Sequence, residues 1–312
     1  IFSALSFGYN AIMRASGYPR KAMITMIIGA MTNVVLDYIF IYPLGMGISG
    51  AAIATVISMI VCSVYVLSHF FRKDSIVRFH RSAFRLSLPV IGGITAIGVA
   101  PFAMHLTGSL VNIIMNRSFV SYGETADATD LAIGAFGIIN GYAMLFFMII
   151  IGVAQGMQPI VGFNYGAKNP GRVKSVYRYS CGVNLLVSFL GFALAMLMPR
   201  TIVSLFTNSE QMIELSASAL RTALIGLSLV GFQVTTTQFF QSIGFSHKAI
   251  FLSLTRQIIF LIPCLLIIPR FMGLDGVWWS LPISDLASVV LSFVLITIQM
   301  KHFNQSKKTT FA

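Results

Sequence analysis

Two polar side chains stand inside an apolar stretch of membrane-spanning length that runs from Lys21 to Pro43. Asn33 and Asp37 are four residues apart, so on a helix they lie on one face, one turn apart. A charged carboxylate at membrane depth costs at least about 2.5–3.5 kcal/mol, so such an acid normally faces a protein interior and has a function. Carboxylate and amide oxygens are ligands for Na⁺, and a carboxylate also carries a proton. We therefore expect this helix to bind the coupling ion of a transporter. The alternative is an acid at a helix end near the membrane surface.

Arg256 and Asp285 are two further charges within apolar segments. Each lies about nine residues from one end of its segment, which places both roughly 14 Å deep. The two segments are joined by a short turn, so we predict that the two side chains form an ion pair. Its role is open between a structural lock and a proton relay or substrate contact. Arg221 has Glu214, seven residues earlier on the same helix face, as a candidate partner.

The composition is that of a polytopic membrane protein. Of 312 residues, 56% are hydrophobic and 10% are charged, whereas a soluble domain carries about 25% charged residues. The net charge of +12 comes from basic residues in short loops, which indicates lipid headgroups and membrane topology and not nucleic acid. The cysteines have neither paired nor metal-ligand spacing, so we predict no disulfide framework. We find no catalytic metal, Ser/His/Asp or P-loop motif, which disfavours a membrane enzyme.

The loops between the apolar segments alternate between basic and acidic. By the positive-inside rule, the basic loops and the C-terminus are cytoplasmic. We see no signal peptide, and the first segment is already apolar at Ile1, so we expect the chain to be the C-terminal part of a longer protein. The nine predicted segments are Ile1–Ala15, Lys21–Tyr42, Ile48–Phe71, Pro89–Phe119, Leu131–Phe163, Val176–Met198, Met212–Ser242, Lys248–Ile268 and Val277–Met300, with basic loops that include 168–178 and an acidic loop at 121–130.

An internal repeat relates the two ends of the chain. The residues 14–22 parallel 241–249 at an offset of 227, and 47–58 parallel 273–284 at an offset of 226. Both matches place loops of the same side on each other, which predicts parallel repeats. Applying the offset to the second half, we expect about 140 residues with three helices and most of a fourth to precede Ile1. The parent protein would have twelve helices in two six-helix lobes.

This repeat divides the chain into four parts. Residues 1–71 are predicted to be the remainder of an N-lobe, with the end of helix 4 and helices 5 and 6. Residues 72–87 are predicted to be a cytoplasmic linker between the lobes. Residues 88–300 form the predicted C-lobe with helices 7–12, and residues 301–312 a cytoplasmic tail.

Three short stretches resemble the multidrug and toxic compound extrusion (MATE) family, in its MepA-like bacterial branch. They are Gly156–Ala167 (GMQPIVGFNYGA), Arg14–Pro19 (RASGYP) and Gly276–Trp278 (GVW). The resemblance implies a V-shaped, twelve-helix antiporter in the bacterial plasma membrane. It would export cationic amphiphilic drugs, including antibiotics, in exchange for H⁺ or Na⁺. The family implies no cofactor apart from that coupling ion, and we expect a monomer with lipid around it and no nucleic acid partner.

The resemblance also assigns roles to residues of this chain. In family members with an N-lobe cation site, an Asn and an Asp one turn apart act with a Thr on the next helix; here these are Asn33, Asp37 and Thr55. The family's first-helix Asp would lie before Ile1. The family's other cation site needs acids on the seventh and tenth helices, and Val90–Phe119 contains none. We therefore expect no metal ion except a possible Na⁺ at Asp37.

A drug cavity in such a transporter is expected to combine aromatic rings, methionines and a few amides, which offer cation–π contacts and adaptable packing. His105 is expected to be a satisfied core residue. The cavity candidates are Asn112, Asn140, Gln155, Gln158, Met144, Phe147, Gln233 and Gln238.

Two alternatives to a multidrug antiporter are open. One is a flippase for lipids or lipid-linked sugars in the same superfamily, which would need several cationic residues lining its cavity to meet phosphates. The other is a truncated transporter without activity, since part of one lobe would be missing.

Overall fold

The computed structural model describes residues 1–72, 75–79, 87–123 and 125–309, and within these ranges the chain forms helices and no strand. It divides into two compact units, Ile1–Ile91 (unit 1) and Gly92–Ala312 (unit 2). In the described residues six helices are long and apolar enough to cross a membrane, and a bent pair of helices makes a seventh span. The predicted all-α membrane fold is confirmed, and the number of segments agrees approximately.

Twelve α-helices and one π-helical segment are found in the described ranges. The π-helical segment is Thr255–Leu261, between α10 and α11. The α-helices are α1 (Phe2–Ala15), α2 (Pro19–Ile41), α3 (Gly47–Phe71), α4 (Leu88–Tyr122), α5 (Ala126–Gly166), α6 (Pro170–Leu197), α7 (Pro199–Ser204), α8 (Glu210–Ala223), α9 (Leu227–Ser242), α10 (Ser246–Leu254), α11 (Ile262–Ile267) and α12 (Pro269–Thr309).

Unit 1 is built on close packing of α2 against α3. Gly29 on α2 faces the Sγ atom of Cys62 so closely that a side chain at position 29 has no room. The buried Asn10 on α1 donates a hydrogen bond of 2.8 Å from Nδ2 to the backbone oxygen of Ala22 on α2. A small core holds the three helices together, formed by Met13, Ala22, Val66 and Phe70 with Tyr9, Tyr18, Leu67 and Phe79 packed against it.

Unit 2 has two hydrophobic cores. In the first, the rings of Phe119 on α4 and Trp278 on α12 lie 5.0 Å apart between centroids, beside the fully buried Leu220 of α8. In the second, Tyr177 on α6 packs on Phe239 of α9 with centroids 4.9 Å apart. Together these cores link α4, α5, α6, α8, α9 and α12.

The segment Met212–Ser242, predicted as one helix, consists of two helices. These are α8 and α9, and the chain bends by 50° between them. Gly226 lies at the break, immediately before α9. The side chain of Asp285 from α12 occupies the space beside it, so a Cβ atom at position 226 would lie 2.5 Å from the Cβ of Asp285. The glycine therefore permits an approach that no larger residue would allow.

The predicted segment Lys248–Ile268 is also irregular, because seven of its residues, Thr255–Leu261, are π-helical. Pro263 stands at the start of α11, directly after this segment. Proline donates no backbone N–H to the helical ladder, which favours a local change of hydrogen bonding. A π-helical turn of this kind frequently occurs at a functional site.

The predicted basic loop 168–178 is shorter than expected, because α6 already begins at Pro170. The side-chain oxygen of Asn169 caps this helix by accepting a hydrogen bond of 3.3 Å from the backbone nitrogen of Arg172. Asn at the N-cap and Pro at the first helical position both favour a helix start here. Most of the basic residues of this stretch are therefore on the first turns of α6.

Of the other predicted connections, two are partly helical and one lies mostly outside the described residues. α5 begins at Ala126, inside the predicted acidic loop 121–130. α12 continues to Thr309, so the predicted tail 301–312 is helical over most of its length; no Gly or Pro interrupts residues 301–309. Most of the predicted linker 72–87 lies outside the described residues.

The two sequence repeats have matching backbone conformations. Gly17 and Gly244, which correspond at the offset of 227, have φ angles of +90° and +82°. Gly47 and Gly273, which correspond at 226, have φ angles of +55° and +57°. Gly47 begins α3, and Gly273 interrupts α12 near its start with a non-helical turn. These left-handed values are easily adopted only by glycine. The turns of the two repeats are thus built in the same way.

A cation–π contact also recurs at equivalent positions. In unit 1 the Lys21 ammonium lies 5.0 Å from the ring centroid of Tyr18. In unit 2 the Lys248 ammonium lies 4.7 Å from the ring centroid of Phe245. In both pairs the ring belongs to the residue just before the helix and the lysine to the first turn of the helix, which agrees with the repeat predicted from the sequence.

Candidate functional site

In unit 1 the structure brings the predicted amide and hydroxyl together across α2 and α3. Asn33 donates a hydrogen bond of 3.4 Å from Nδ2 to Oγ1 of Thr55. Thr55 in turn donates to the backbone oxygen of Ala51, at 2.9 Å. The carbonyl oxygen of the Asn33 side chain makes no hydrogen bond to another described residue. It remains available to a cation.

Asp37 lies one helical turn after Asn33 on α2 and is half-buried. Its Oδ1 atom is buried and has no hydrogen-bond partner within the described part of the chain. A buried acceptor without a partner costs free energy, about 1–3 kcal/mol or more when charged, unless a proton or cation satisfies it. Because the nearby ligands are carboxylate, amide and hydroxyl oxygens, the set is chemically suited to H⁺ or Na⁺.

In unit 2 Arg256 and Asp285 are brought together as an ion pair. Nε of Arg256, in the π-helical segment, donates to Oδ1 of Asp285, on α12, at 2.8 Å. The two side chains are 24% and 13% exposed, so the pair is largely shielded from solvent. The guanidinium also lies 5.7 Å from the ring centroid of Phe147 on α5. The pair therefore links three separate helices.

A cavity of about 810 Å³ opens within unit 2, between α4, α5, α9 and the α10–π-helical stretch. Its size is that of a site for a drug-sized molecule. The cavity is lined by five of the predicted candidates, namely Asn112, Phe147, Gln155, Gln233 and Gln238.

The other three candidates do not line this cavity. Asn140 and Met144 are exposed and lie two turns and one turn before Phe147 on α5, outside the part of the helix that lines the cavity. Gln158 lies about one turn after Gln155 on α5 and donates a hydrogen bond of 3.3 Å from Nε2 to Oε1 of Gln238. It therefore orients a lining residue without being one in the described cavity.

Several lining residues were not among the candidates. His105 was predicted to be a satisfied core residue, but it is exposed and lines the cavity. The signal that would have found it is spacing, because it lies seven residues before Asn112 on the same face of α4. The same reasoning applies on α9, where Thr237 and Gln241 follow Gln233 at intervals of four. The unpredicted polar lining residues are His105, Ser109, Thr237, Gln241, Ser253 and Gln257, with Arg256 from the predicted ion pair.

The suggested pairing of Arg221 with Glu214 is not observed. Glu214 instead accepts a hydrogen bond of 2.6 Å from Nη2 of Arg200. The Arg200 and Glu214 side chains are 62% and 66% exposed. Glu214 pairs with Arg200 because α7 places Arg200 close to the first turns of α8, whereas Arg221 lies two turns after Glu214 on the same helix.

Comparison with known proteins gives one family. The family model described as MatE matches residues 101–267 of the chain. This range covers more than half of the 312 residues and includes α5, α6 and the cavity-lining parts of α9 and the π-helical segment.

Among curated proteins, the chain is similar to multidrug export protein MepA of Staphylococcus aureus (strain bovine RF122 / ET3-1). The two are 26% identical over 301 residues, which cover 94% of this chain and 64% of the relative. MepA of Staphylococcus saprophyticus is 24% identical over 299 residues, which cover 95% of this chain and 64% of the relative. The chain thus spans 64% of the length of each of these two relatives.

Solved structures give the same result. A multidrug resistance MATE family transporter of the MOP superfamily, in its outward-facing conformation, is 28% identical with a TM-score of 0.85, over 95% of this chain and 65% of the other. A MOP superfamily transporter from Pyrococcus furiosus Vc1 (DSM3638), described by the reverse polarity of its binding pocket, is also 28% identical with a TM-score of 0.85, over 95% of this chain and 66% of the other.

Proposed function

Because this chain belongs to the MatE family of multi-pass membrane transporters, we propose that the protein is a secondary active multidrug antiporter. It exports cationic amphiphilic compounds in exchange for H⁺ or Na⁺. The observation that carries the proposal is the buried, unpartnered Oδ1 of Asp37, among the described residues, next to the Asn33–Thr55 contact. Together these groups provide an acid and two neutral oxygen ligands at membrane depth.

The coupling step we propose is a change of charge at Asp37. With the ion bound, the carboxylate is neutralised and α2 can pack closely on α3. When the ion leaves, the charged carboxylate requires water or another partner. This difference favours two packings of unit 1, as alternating access requires. Two states that differ by a few kcal/mol are sufficient to couple an ion to a cargo.

The cargo site we propose is the cavity of unit 2. Its volume of about 810 Å³ is large enough for a drug-sized ligand. The ring of Phe147 offers an aromatic surface, and the amides of Asn112, Gln155 and Gln238 offer hydrogen bonds. This combination permits several related molecules to bind in different orientations.

We place the protein in the bacterial plasma membrane with its C-terminus in the cytoplasm, because the basic loops are on the side of that terminus. Unit 1 then represents the remainder of an N-lobe, and residues 88–300 represent a C-lobe with helices 7–12. The protein would work as a monomer surrounded by lipid, with a small-molecule cargo and no cofactor besides the coupling ion.

The test uses the complete transporter in liposomes loaded with a fluorescent cationic dye. Efflux is measured under an imposed proton gradient and then under a sodium gradient, for the wild type, Asp37→Asn and the control Asp275→Asn. Asp275 is an exposed acid at the beginning of α12, outside the candidate site. We expect one gradient to drive efflux in the wild type and the control, and neither gradient to do so in Asp37→Asn.

Coupled efflux that survives in Asp37→Asn would refute the ion site and direct attention to Asp285. If no dye moves under either gradient, the flippase becomes the better hypothesis. The described lining of the cavity contains one arginine, Arg256, whereas a phosphate-binding flippase cavity would need several cationic residues.

A further inference from the structure

The charge of the unit 2 cavity is unusual for a site that binds simple cations. Arg256 is the formally charged residue among the described residues that line it, and no aspartate or glutamate is in that lining. The α4 wall cannot supply one, because residues 88–122 contain no acid in the sequence. Asp285 balances the charge of Arg256 but is not part of the lining. A cation in the cavity would therefore meet an arginine without a lining carboxylate.

The ion pair leaves most of the Arg256 guanidinium available. Asp285 accepts its hydrogen bond from Nε, and the terminal Nη1 and Nη2 groups make no hydrogen bond to any described residue. Phe147 supports the guanidinium from α5, and the close approach of Asp285 to Gly226 limits movement of its partner. The guanidinium is thus held in place with N–H donors that can bind a ligand. Arginine is the side chain best suited to hold a carboxylate in this way.

Two acceptors complement these donors. Gln233 on α9 is 4% exposed and lines the cavity, and its Oε1 atom is buried without a partner in the described ranges. Gln257, next to Arg256 in the π-helical segment, also lines the cavity, and its Oε1 atom is likewise buried without a partner among the described residues. Buried carbonyl oxygens are nearly always hydrogen-bonded in native structures. Both atoms therefore indicate a ligand that brings its own N–H or O–H groups.

We infer that this cavity selects amphiphilic cations that also carry a carboxylate, in preference to simple cations. The carboxylate binds the terminal N–H groups of Arg256, and donor groups of the same molecule bind Gln233 and Gln257. The cationic charge of the cargo is then balanced within the cargo itself. The inference rests on the proposed transport function and narrows its cargo to zwitterions.

The probes for the test are a rhodamine with a free carboxylate and the methyl ester of the same rhodamine, both with N–H groups. They differ only in the anionic group. Binding of each to the purified complete transporter in detergent is followed by fluorescence polarisation, without any ion gradient. We expect the wild type to bind the free acid about tenfold more tightly than the ester, the effect of one charge-assisted hydrogen bond.

The variants separate recognition from folding. Arg256→Gln alone would leave the Asp285 charge buried without its partner, so the informative pair is Asp285→Asn and Arg256→Gln/Asp285→Asn. Asp285→Asn keeps the arginine and should keep the preference for the acid. The double variant should lose that preference and bind both dyes equally. Arg221→Gln removes an exposed arginine outside this cavity and should behave as wild type.

A Gln233→Leu variant tests the role of Gln233 as a hydrogen-bond acceptor. It should weaken binding of both dyes by a similar factor and leave the ratio of their affinities unchanged. The inference is overturned if the wild type binds the ester as tightly as the acid, if it binds neither dye, or if the double variant keeps the preference. Ion-driven efflux of the dyes is measured separately. A preference for the acid without driven efflux would refute the transport proposal alone, and efflux without a preference would refute the zwitterion inference alone.

Discussion

Gly226→Ala tests the close contact between the α8–α9 break and α12. The backbone angles of Gly226, φ −64° and ψ −28°, are suitable for alanine, so the substitution imposes no backbone strain. The added Cβ atom, however, would lie 2.5 Å from Cβ and 2.6 Å from Oδ2 of Asp285. Carbon atoms in favourable contact are about 3.5–4.0 Å apart. The methyl group can therefore be accommodated only if the two helices separate by about 1 Å.

This separation has two costs. Overpacking of this kind typically destabilises a protein by about 1–3 kcal/mol. The Asp285 side chain would also have to move, and a shift of about 1 Å away from Arg256 would lengthen their bond of 2.8 Å beyond hydrogen-bonding distance. Breaking a buried ion pair in full costs about 3–5 kcal/mol. A partial loss of the Arg256–Asp285 pair therefore adds to the cost of overpacking. We expect a net destabilisation of roughly 2–3 kcal/mol, equivalent to a fall in Tm of about 4–12 °C for a domain of this size.

The assay is thermal unfolding of the purified transporter in detergent, followed with a thiol-reactive fluorophore. Cys62 and Cys181 are buried, so they react only when the helices around them open, and the partly exposed Cys264 is replaced by serine in every variant. Gly137→Ala, about three turns into α5, is the matched control, because nothing lies within 4 Å of its added Cβ. Alanine there should raise stability by up to about 1 kcal/mol through helix propensity. An unchanged or raised Tm for Gly226→Ala, as in the control, would refute the contact.

Three further substitutions are checked with the same assay. Arg256→Met should lower stability by about 3–5 kcal/mol because the Asp285 charge loses its partner, and adding Asp285→Leu should restore most of it; no recovery in the double variant would contradict the pairing. Asn184→Ala should cost about 2–4 kcal/mol, because Nδ2 of this fully buried residue donates to a backbone oxygen of α5 at 3.1 Å and to a threonine hydroxyl of α9 at 2.7 Å; a loss below 1 kcal/mol would show that these bonds contribute little to stability. Arg200→Ala should change stability by less than about 1 kcal/mol, because its pair with Glu214 is exposed; a larger fall in Tm would indicate a structural role for this surface pair.

The fold class followed from the sequence because membrane insertion depends on the length and polarity of local segments. An apolar run such as Gly47–Phe71 must be helical in a bilayer, since only a helix satisfies its own backbone groups there. The Arg256–Asp285 contact could also be predicted, because depth in a membrane is read by counting residues along a helix. Two opposite charges at equal depth on adjacent helices have few other partners.

The cavity was predictable in composition but not in detail. Gln233 and Met144 both met the criterion of residue type, yet only Gln233 lines the cavity. Met144 shares the helix face of Ile151 and Gln155, so periodicity does not exclude it. How far along a helix the cavity extends depends on how the neighbouring helices pack, and the hydrophobic pattern gives little guidance when lipid-facing and core-facing residues are equally apolar. His105 was misjudged for the same reason.

The sequence by itself determined that this chain is helical, lies in a membrane, and carries a repeat whose glycine turns are specified by local residues such as Gly17 and Gly244. The tertiary structure decided where the helices break. The bend at Gly226 depends on a side chain from α12, and the π-helical segment that carries Arg256 is positioned by the ion pair and by Phe147. Contacts between residues far apart in the chain leave no local pattern, so only the packed structure reveals them.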